Sequence, residues 1–217
     1  MNIAQLRGMR YPDEYLIRFF YKEGLHRQSG RLLELGCGSA NNLMHFSYYG
    51  WDAVGVDYDA VCIADARHNL SISNLAGEVI QHDLNKGLPP LSGPFNALLA
   101  PSTLYYLERE AARDSLRQAA KLLAPGAAFY LRMRLPDDHR AGRGVLEGPG
   151  SWRLDMAYTG EKGALNVFYQ EHELLELLRD TLNLSSERLT ILRVAYENVQ
   201  DGHLIRNSDI VLWGRLP

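Results

Sequence analysis

The stretch Leu33-Glu34-Leu35-Gly36-Cys37-Gly38-Ser39 decides the fold class of this chain. The apolar run Arg31 to Leu35 predicts a buried strand, and two glycines follow it directly. Because Gly36 and Gly38 lack a Cβ atom, the backbone can bend sharply there and approach a ligand closely. A helix predicted from Asn41 to Tyr49 would point its first amides at the same turn. This strand, turn and helix together predict a ligand site at the carboxyl end of the first strand.

Outward from this turn, short apolar runs alternate with helical patterns, which predicts an α/β fold with crossover helices. Further strands are predicted over residues 52–57, 78–82, 95–100, 127–133, 189–196 and 208–214. Helices are predicted over residues 13–23, 41–49, 60–70, 108–123 and 171–182. The helix that starts at Glu108 is expected to end before Pro125-Gly126. The pattern is lost from Leu135 to Leu165, where six glycines and two prolines predict a long irregular loop.

Bulk composition limits the classes of function. The 217 residues, 46% of them hydrophobic, suit a single domain 1–217 with an N-terminal helical segment 1–30 and an inserted loop or lid 135–168. A net charge of −3 offers no basic excess for binding nucleic acid. No apolar stretch has the length of a membrane helix, and two cysteines, Cys37 and Cys62, predict neither a disulfide scaffold nor a metal site. We therefore expect a cytoplasmic protein that binds no metal, nucleic acid or membrane; monomer and homodimer remain open.

Acidic side chains follow the next two predicted strands. Asp57 ends the second strand and Asp83 follows the third. Because ligands collect beyond the carboxyl ends of parallel strands, Asp57 is placed to accept the two hydroxyls of a ribose. Asp83 is placed to accept from an adenine amino group, or alternatively to cap a helix. The turn and the two acids, in this order, predict a site for a nucleoside.

The same segments resemble motifs of the class I methyltransferases that use S-adenosylmethionine. The segments that match are Leu33–Ser39, Val54–Tyr58, Gln81–Leu84, Phe95–Leu107 and Leu122–Leu131. The resemblance covers residues 31–134 closely and the last two strands loosely. It implies a three-layer α/β sandwich around a seven-stranded, mostly parallel sheet whose last strand is antiparallel. It also implies S-adenosylmethionine as cofactor and S-adenosylhomocysteine as product.

The resemblance further implies which residues lie against the cofactor. They are Tyr11, Glu34, Gly36, Cys37, Gly38, Asn41, Asp57, Tyr58, Asp83, Leu84 and Ala100. Glu34 would orient the turn or meet the substrate's amino group through water. Asn41 and its neighbour Asn42 would either cap the following helix or donate to the cofactor. Tyr11 would reach the methionine carboxylate or, alternatively, pack as a hydrophobic staple ahead of the first helix.

Residues after the fourth and fifth strands are candidates for handling the methyl acceptor. A hydroxyl acceptor benefits from a general base, for which Tyr105, Tyr106 and His139 are the candidates. His139 titrates nearest to neutral pH, although a loop histidine can equally be without a catalytic role. Arg132 and Arg134 alternate along a strand, so they would capture an acidic or phosphorylated acceptor together or form surface salt bridges.

Aromatic residues flank the irregular stretch. Trp152, Tyr158 and Tyr169 would line an acceptor pocket or, alternatively, pin the loop onto the sheet. The sequence thus predicts methyl transfer from S-adenosylmethionine to an oxygen or nitrogen of a small molecule, such as a sugar, a natural product or a small acid. One alternative is an NAD(P)-dependent oxidoreductase, although Asn41 stands where the third glycine of its motif belongs. The other is a scaffold subunit that binds the cofactor without catalysis.

Overall fold

The structure, a computed structural model, describes residues 3–217; Met1 and Asn2, which belong to the predicted N-terminal segment, lie outside the described residues. The strands are β1 (Arg31–Leu35), β2 (Asp52–Asp57), β3 (Glu78–Gln81), β4 (Phe95–Pro101), β5 (Leu123–Arg134), β6 (Gly144–Gly148), β7 (Ser151–Leu154), β8 (Leu165–Val167), β9 (Leu189–Gln200) and β10 (His203–Arg215). The α-helices are α1 (Glu14–Lys22), α2 (Asn41–Tyr48), α3 (Ala60–Ile72), α4 (Arg109–Ala120) and α5 (Glu171–Leu182). In the described part of the chain, no helix has the length and apolar character needed to cross a bilayer.

A seven-stranded sheet has the order β3-β2-β1-β4-β5-β10-β9. Strands β1 to β5 run parallel to one another, whereas β10 runs antiparallel to both β5 and β9. The chain builds the sheet in one direction from β1 to β3 and then returns to β4 on the other side of β1. The carboxyl ends of β1 and β4 therefore form the switch point at which ligands bind in such sheets.

Helices cover both faces of this sheet. On one face α1, α2 and α3 bury side chains against the sheet, among them Phe19, Phe46 and Ile63. On the other face α4 and α5 do the same, with Leu116 and Leu178. The predicted three-layer sandwich with an antiparallel last strand is confirmed.

The boundary between α4 and β5 differs from the prediction. Helix α4 ends at Ala120, and β5 begins at Leu123, so that Pro125-Gly126 lies within the start of the strand. Leu123 pairs with Phe95, and an irregularity in register then brings Ala128 opposite Ala97. Pairing with β4 therefore decides where the strand begins, and a proline and a glycine are tolerated at this bulged entry.

The segment predicted as an irregular loop folds instead into a three-stranded antiparallel sheet, β6-β7-β8. We call residues 144–167 the insert. The prediction was wrong because β6 is almost entirely exposed, and Val145 and Leu146 show no alternation between apolar and polar positions. Backbone pairing rather than burial holds this strand, and pairing leaves little trace in the hydrophobic pattern.

The last two strands form a hairpin longer than predicted. Residues Asp201 and Gly202, with φ of +48° and +78°, make a two-residue turn of the kind that matches the twist of paired strands. Only Asp209–Arg215 of β10 pair with β5. The residues closer to the turn therefore project beyond the carboxyl end of β5, toward the side of the sheet where the site lies.

Candidate active site

The glycine turn lies at the carboxyl end of β1, as predicted. The backbone amides of Gly36 and Cys37 both donate to Val56 O, at 2.7 and 3.1 Å, which ties the turn to β2. Gly36 and Gly38 have φ of +74° and +51°, a left-handed conformation that favours glycine. The side chain of Thr103, from the loop after β4, fills the space in front of Gly36, whereas Gly38 faces open space. A ligand can therefore approach the backbone at Gly38.

Asp57 is held against this turn at the end of β2. Its Oδ2 accepts from the amide of Gly38 at 2.9 Å, and its Oδ1 accepts from the amide of Asp59 at 3.0 Å. Each oxygen of a carboxylate has two acceptor positions, so both oxygens of Asp57 can take a further donor. The half-buried carboxylate thus fits the two hydroxyls of a ribose, which stays a prediction for this residue.

Glu34 is fully buried beneath the turn. Its Oε1 accepts from Asn42 Nδ2 at 2.7 Å, whereas Oε2 is buried and has no hydrogen-bond partner among the described residues. Burial raises the pKa of Glu34 to about 8, and the donation from Asn42 only partly opposes this. A buried carboxyl oxygen without a partner is a place where a polar group of a bound ligand can be accommodated, and the contact of Glu34 with the cofactor stays a prediction.

The two asparagines after the turn do not cap the helix. The N-cap of α2 is Ala40, with φ of +67° and no side-chain hydrogen bond, so the capping interpretation was wrong. Instead Asn41 Nδ2 donates to Tyr11 O at 2.9 Å, and Asn42 Oδ1 accepts from the amide of Asp13 at 3.0 Å. The asparagines therefore hold the N-terminal segment beside the glycine turn.

This arrangement argues against the hydrophobic-staple alternative for Tyr11, and its contact with the methionine carboxylate stays a prediction. Its side chain is 65% exposed, so it is not a hydrophobic staple. Its backbone lies at the turn through Asn41, and the ring remains accessible to a cofactor. Nearer the N-terminus of the same segment, Ser39 Oγ donates to Met9 O at 3.1 Å. Asn69 accepts from the backbone amide of Arg7 and donates to its carbonyl oxygen.

Sequence reasoning missed Asp13 as a structural centre. Its carboxylate caps α1 by accepting from two helix amides, and it also accepts from Tyr130 OH at 2.8 Å and from Arg132 at 2.6 Å. Asp209 on β10 pairs with the same guanidinium at 2.5 Å. The sequence Pro12-Asp13 was a signal for a helix start, but it gave no sign of partners on β5.

The adenine side of the predicted site is only partly formed by side chains. Tyr58 is 72% exposed beside Asp57, where it can flank a nucleoside. Asp83 accepts from the amide of Asn85 at 3.0 Å and caps a short 3-10 turn, so the capping alternative is confirmed and its contact with adenine stays a prediction. Leu84 and Ala100 are buried in the core, so only their backbone can face the cofactor.

The three predicted bases differ in their surroundings. Burial raises the pKa of both Tyr105 and Tyr106 above the ordinary range of a phenol, which favours the protonated form of both side chains. His139 Nε2 lies 3.2 Å from Tyr158 OH, and Tyr158 stacks on His203 at 4.0 Å between ring centroids. Burial lowers the pKa of His139, which leaves it neutral and able to accept a proton near pH 7.

Arg132 and Arg134 are ion-paired, but inside the molecule rather than on its surface. Arg132 contacts the two aspartates described above, and Arg134 contacts Glu161 at 2.5 Å. Glu161 lies in the insert and also pairs with Arg140, a buried residue that sequence reasoning did not single out. The arginines are therefore neutralised by carboxylates of the chain itself.

The three aromatic residues of the predicted acceptor pocket lie in different parts of the structure. Tyr169 is buried in the core, with Arg109 over its ring at 4.3 Å, so its assignment to the pocket was wrong. This burial could not be predicted, because Arg109 at the start of α4 lies 60 residues before Tyr169 along the chain. Trp152 is half-buried on β7, opposite Asn166 of β8, within the insert. Tyr158 packs against the projecting hairpin through His203.

Comparison with known proteins assigns the family. A family model described as a methyltransferase domain matches residues 5–182, most of the chain. The chain belongs to this methyltransferase family. The class I methyltransferase recognised in the sequence is confirmed, and with it S-adenosylmethionine as the cofactor. The oxidoreductase alternative is thereby overturned.

Several relatives illustrate the likeness. The chain is 30% identical over 135 residues to the ribosomal protein L11 methyltransferase of Thermus thermophilus, a match that covers 62% of this chain and spans only 50% of that protein. A SAM-dependent methyltransferase from Methanosarcina mazei has a TM-score of 0.69 at 18% identity, covering 95% of this chain and all of the other. The 1,6-didemethyltoxoflavin-N1-methyltransferase of Burkholderia thailandensis, solved with S-adenosylhomocysteine, has a TM-score of 0.62 at 14% identity, covering 98% and 79%. These two structures share the fold of this methyltransferase.

Proposed function

We propose that this methyltransferase transfers the methyl group of S-adenosylmethionine to an oxygen or nitrogen of a small-molecule acceptor. One observation carries the proposal: side chains at the carboxyl ends of β4 and β5 bind the insert. Tyr106, from the 3-10 turn after β4, donates to Glu161 of the insert at 2.8 Å, and Arg134 at the end of β5 pairs with the same carboxylate. A site that the insert borders in this way favours a small acceptor over a folded protein.

The residues of this chain would mainly bind and align. The bound cofactor supplies an electrophilic methyl group, and transfer requires the acceptor atom in line with it and water excluded. Gly36, Gly38, Glu34 and Asp57 would hold the cofactor at the glycine turn. His139 remains the candidate base for a hydroxyl acceptor, because its lowered pKa keeps the imidazole neutral near pH 7. A neutral amine acceptor needs no base.

Two rival functions have to be distinguished from this proposal. The Thermus thermophilus relative is named for a ribosomal protein, so transfer to protein is the first rival. A non-catalytic scaffold that binds the cofactor is the second. The first experiment is calorimetric titration with S-adenosylhomocysteine, beside NAD as a control ligand. It is followed by transfer of labelled methyl groups to a panel of small hydroxyl and amine compounds and to ribosomal proteins.

We expect binding of S-adenosylhomocysteine alone and label in members of the small-molecule panel. Label only in the ribosomal proteins would replace the small acceptor with a protein. Binding without transfer to either panel would favour the scaffold. The variant Asp57→Asn, which removes the charge at the ribose position, is the control for specific binding and should bind S-adenosylhomocysteine roughly 10- to 100-fold more weakly.

A further inference from the structure

Glu161 occupies a site built from donors of three different segments. Its Oε1 accepts from Tyr106 OH at 2.8 Å and from Arg134 Nη1 at 2.5 Å, and its Oε2 accepts from Arg140 Nε. The three side chains come from the turn after β4, the end of β5 and the loop that follows it. Two guanidinium groups and a phenol that converge on one carboxylate form a specific receptor for that group.

The carboxylate belongs to a surface loop and not to the framework of the sheet. Glu161 lies in the loop 155–164 that joins β7 to β8. Half of these ten residues are exposed, namely Asp155, Ala157, Gly160, Lys162 and Gly163. The side chain of Glu161, in contrast, is only 12% exposed. Outward movement of this loop would therefore withdraw the Glu161 carboxylate from its three donors.

Charge balance shows what such a movement would leave behind. Among the described residues Glu161 is the carboxylate partner of Arg134, whose other contacts are Asn166 Oδ1 and the ring of Tyr105 at 4.4 Å. Arg140 would keep Asp138. A guanidinium that is 11% exposed and has no anion is strongly unfavourable. The vacated site would therefore attract another anion.

The site adjoins the cofactor turn. Thr103 packs in front of Gly36, and Tyr106 belongs to the same short loop three residues farther along. Arg134 ends β5, the strand that pairs with β4 on the side away from β1. Tyr106 and Arg134 thus lie at the carboxyl ends of the neighbouring strands β4 and β5, beside the cofactor turn.

We propose that Arg134, Arg140 and Tyr106 form the binding site for a carboxylate of the methyl acceptor, and that Glu161 is an internal substitute which this carboxylate displaces. The inference rests on the proposed function, because it names the chemical class of that acceptor. A carboxylate is favoured over a phosphate because the site engages both oxygens of a planar group with no donor shown for a third.

The first test uses the unaltered chain saturated with S-adenosylhomocysteine. Amide hydrogen exchange of residues 155–164 is measured with propionate, and with propionamide as the uncharged analogue at the same ionic strength. We expect propionate, and not propionamide, to raise exchange in this loop, because displacement of Glu161 releases it. Equal exchange with both compounds would overturn the proposal and leave the cluster as a purely structural ion-pair network.

The second test measures the affinity for propionate in two variants. Glu161→Gln removes the internal competitor and should bind propionate about 10-fold more tightly than the unaltered chain, which presents the site only while the loop is open. Glu147→Gln is the matched control, since it makes the same charge change in the same insert, at an exposed pair with Arg153. The double variant Glu161→Gln/Arg134→Gln should lose the gain.

Failure of the carboxylate site can be distinguished from failure of the proposed methyl transfer. Neither test needs an acceptor, and binding of S-adenosylhomocysteine is established separately by titration. A chain that binds the nucleoside but shows the same propionate affinity with and without Glu161 refutes only the carboxylate site. Inorganic phosphate that opens the loop at lower concentration than propionate would overturn the carboxylate assignment. If Glu161→Gln does not fold, the exchange measurement on the unaltered chain still decides.

Discussion

The side chain of Thr103 fills the space in front of Gly36 where a Cβ atom would stand: Oγ1 lies 2.0 Å and Cγ2 2.4 Å from that position. The contact joins the turn after β1 to the loop after β4 at the switch point of the sheet. It follows that a glycine is required at position 36 both for its backbone conformation and for this packing. Gly38, two residues on, is constrained by its conformation alone.

This difference predicts unequal effects of two alanine substitutions. Gly38→Ala should cost about 1–2 kcal/mol for the left-handed conformation, and Gly36→Ala more, because Thr103 must also move. For a chain of this size 1 kcal/mol lowers the melting temperature by about 2–4 °C, so differential scanning calorimetry resolves the two. Both should weaken S-adenosylhomocysteine binding. Equal melting temperatures would contradict the packing argument.

Asp57 offers a test of the ribose contact. In Asp57→Asn one oxygen is replaced by an amide nitrogen, so an acceptor and the charge are lost. Hydrogen bonds to a charged group contribute about 1.5–3 kcal/mol, which corresponds to roughly 10- to 100-fold weaker binding of S-adenosylhomocysteine. Asp52→Asn, at the exposed start of the same strand, is the control and should bind normally. Unchanged affinity in Asp57→Asn would remove this residue from the site.

Glu34 should make stability depend on pH. Its pKa is about 8 in the folded chain, because burial disfavours the charge, against an ordinary value of 4.5. Between these values the folded state retains a proton that the unfolded state has lost, so stability falls as pH rises from about 4.5 to 8. The slope from this one group is at most about 1.4 kcal/mol per pH unit.

The variant Glu34→Gln removes this titration while it keeps the shape of the side chain. Denaturant unfolding from pH 5 to 9 should therefore show a shallower loss of stability than in the unaltered chain, with the largest relative gain at the alkaline end. Glu14→Gln, an exposed residue in the first turn of α1, should leave the profile unchanged. Parallel profiles for Glu34→Gln and the unaltered chain would show that Glu34 is not protonated when folded.

Asp13 and Asp59 form a natural pair for measuring the ion network. Both are N-caps whose carboxylate accepts from two helix amides, but only Asp13 also contacts Tyr130 and Arg132. Asp59→Ala should cost about 1 kcal/mol of unfolding free energy, as for an ordinary cap. Asp13→Ala should cost more, about 2–4 kcal/mol, because the hydrogen bonds from Tyr130 and Arg132 are lost as well, although Arg132 keeps its ion pair with Asp209. Similar losses in chemical denaturation would mean that the network contributes little.

Much of the framework could be predicted because its signals are local. Strands β1 and β2 and helix α5 have the predicted bounds, since each is a continuous apolar or amphipathic run with a break at its end. The start of β5 could not be predicted, because it depends on where Leu123 meets Phe95. The insert was missed because its outer strand is exposed and is held by pairing alone.

The residues of the candidate site also fall into those that could be predicted from local sequence and those that could not. The turn at Gly36 and the acid at Asp57 are visible in the sequence because each follows its own strand directly. The roles of Asn41 and Asn42 were not, because their partners Tyr11 and Asp13 lie about thirty residues away along the chain. Local periodicity is the same for an asparagine that caps a helix and for one that binds a distant carbonyl, so it cannot distinguish the two.

The sequence by itself therefore determined the main sheet and the glycine turn, because strand period and glycine conformation are properties of neighbouring residues. The cofactor followed from the resemblance of these motifs to the methyltransferase family. Only the tertiary structure decided the acceptor side. Arg132 meets Asp13 across 119 residues, and Arg134 meets Glu161 across 27. Such pairs form where separate segments pack together, and their free energy depends on burial and on the number of partners, which no single stretch of the chain encodes.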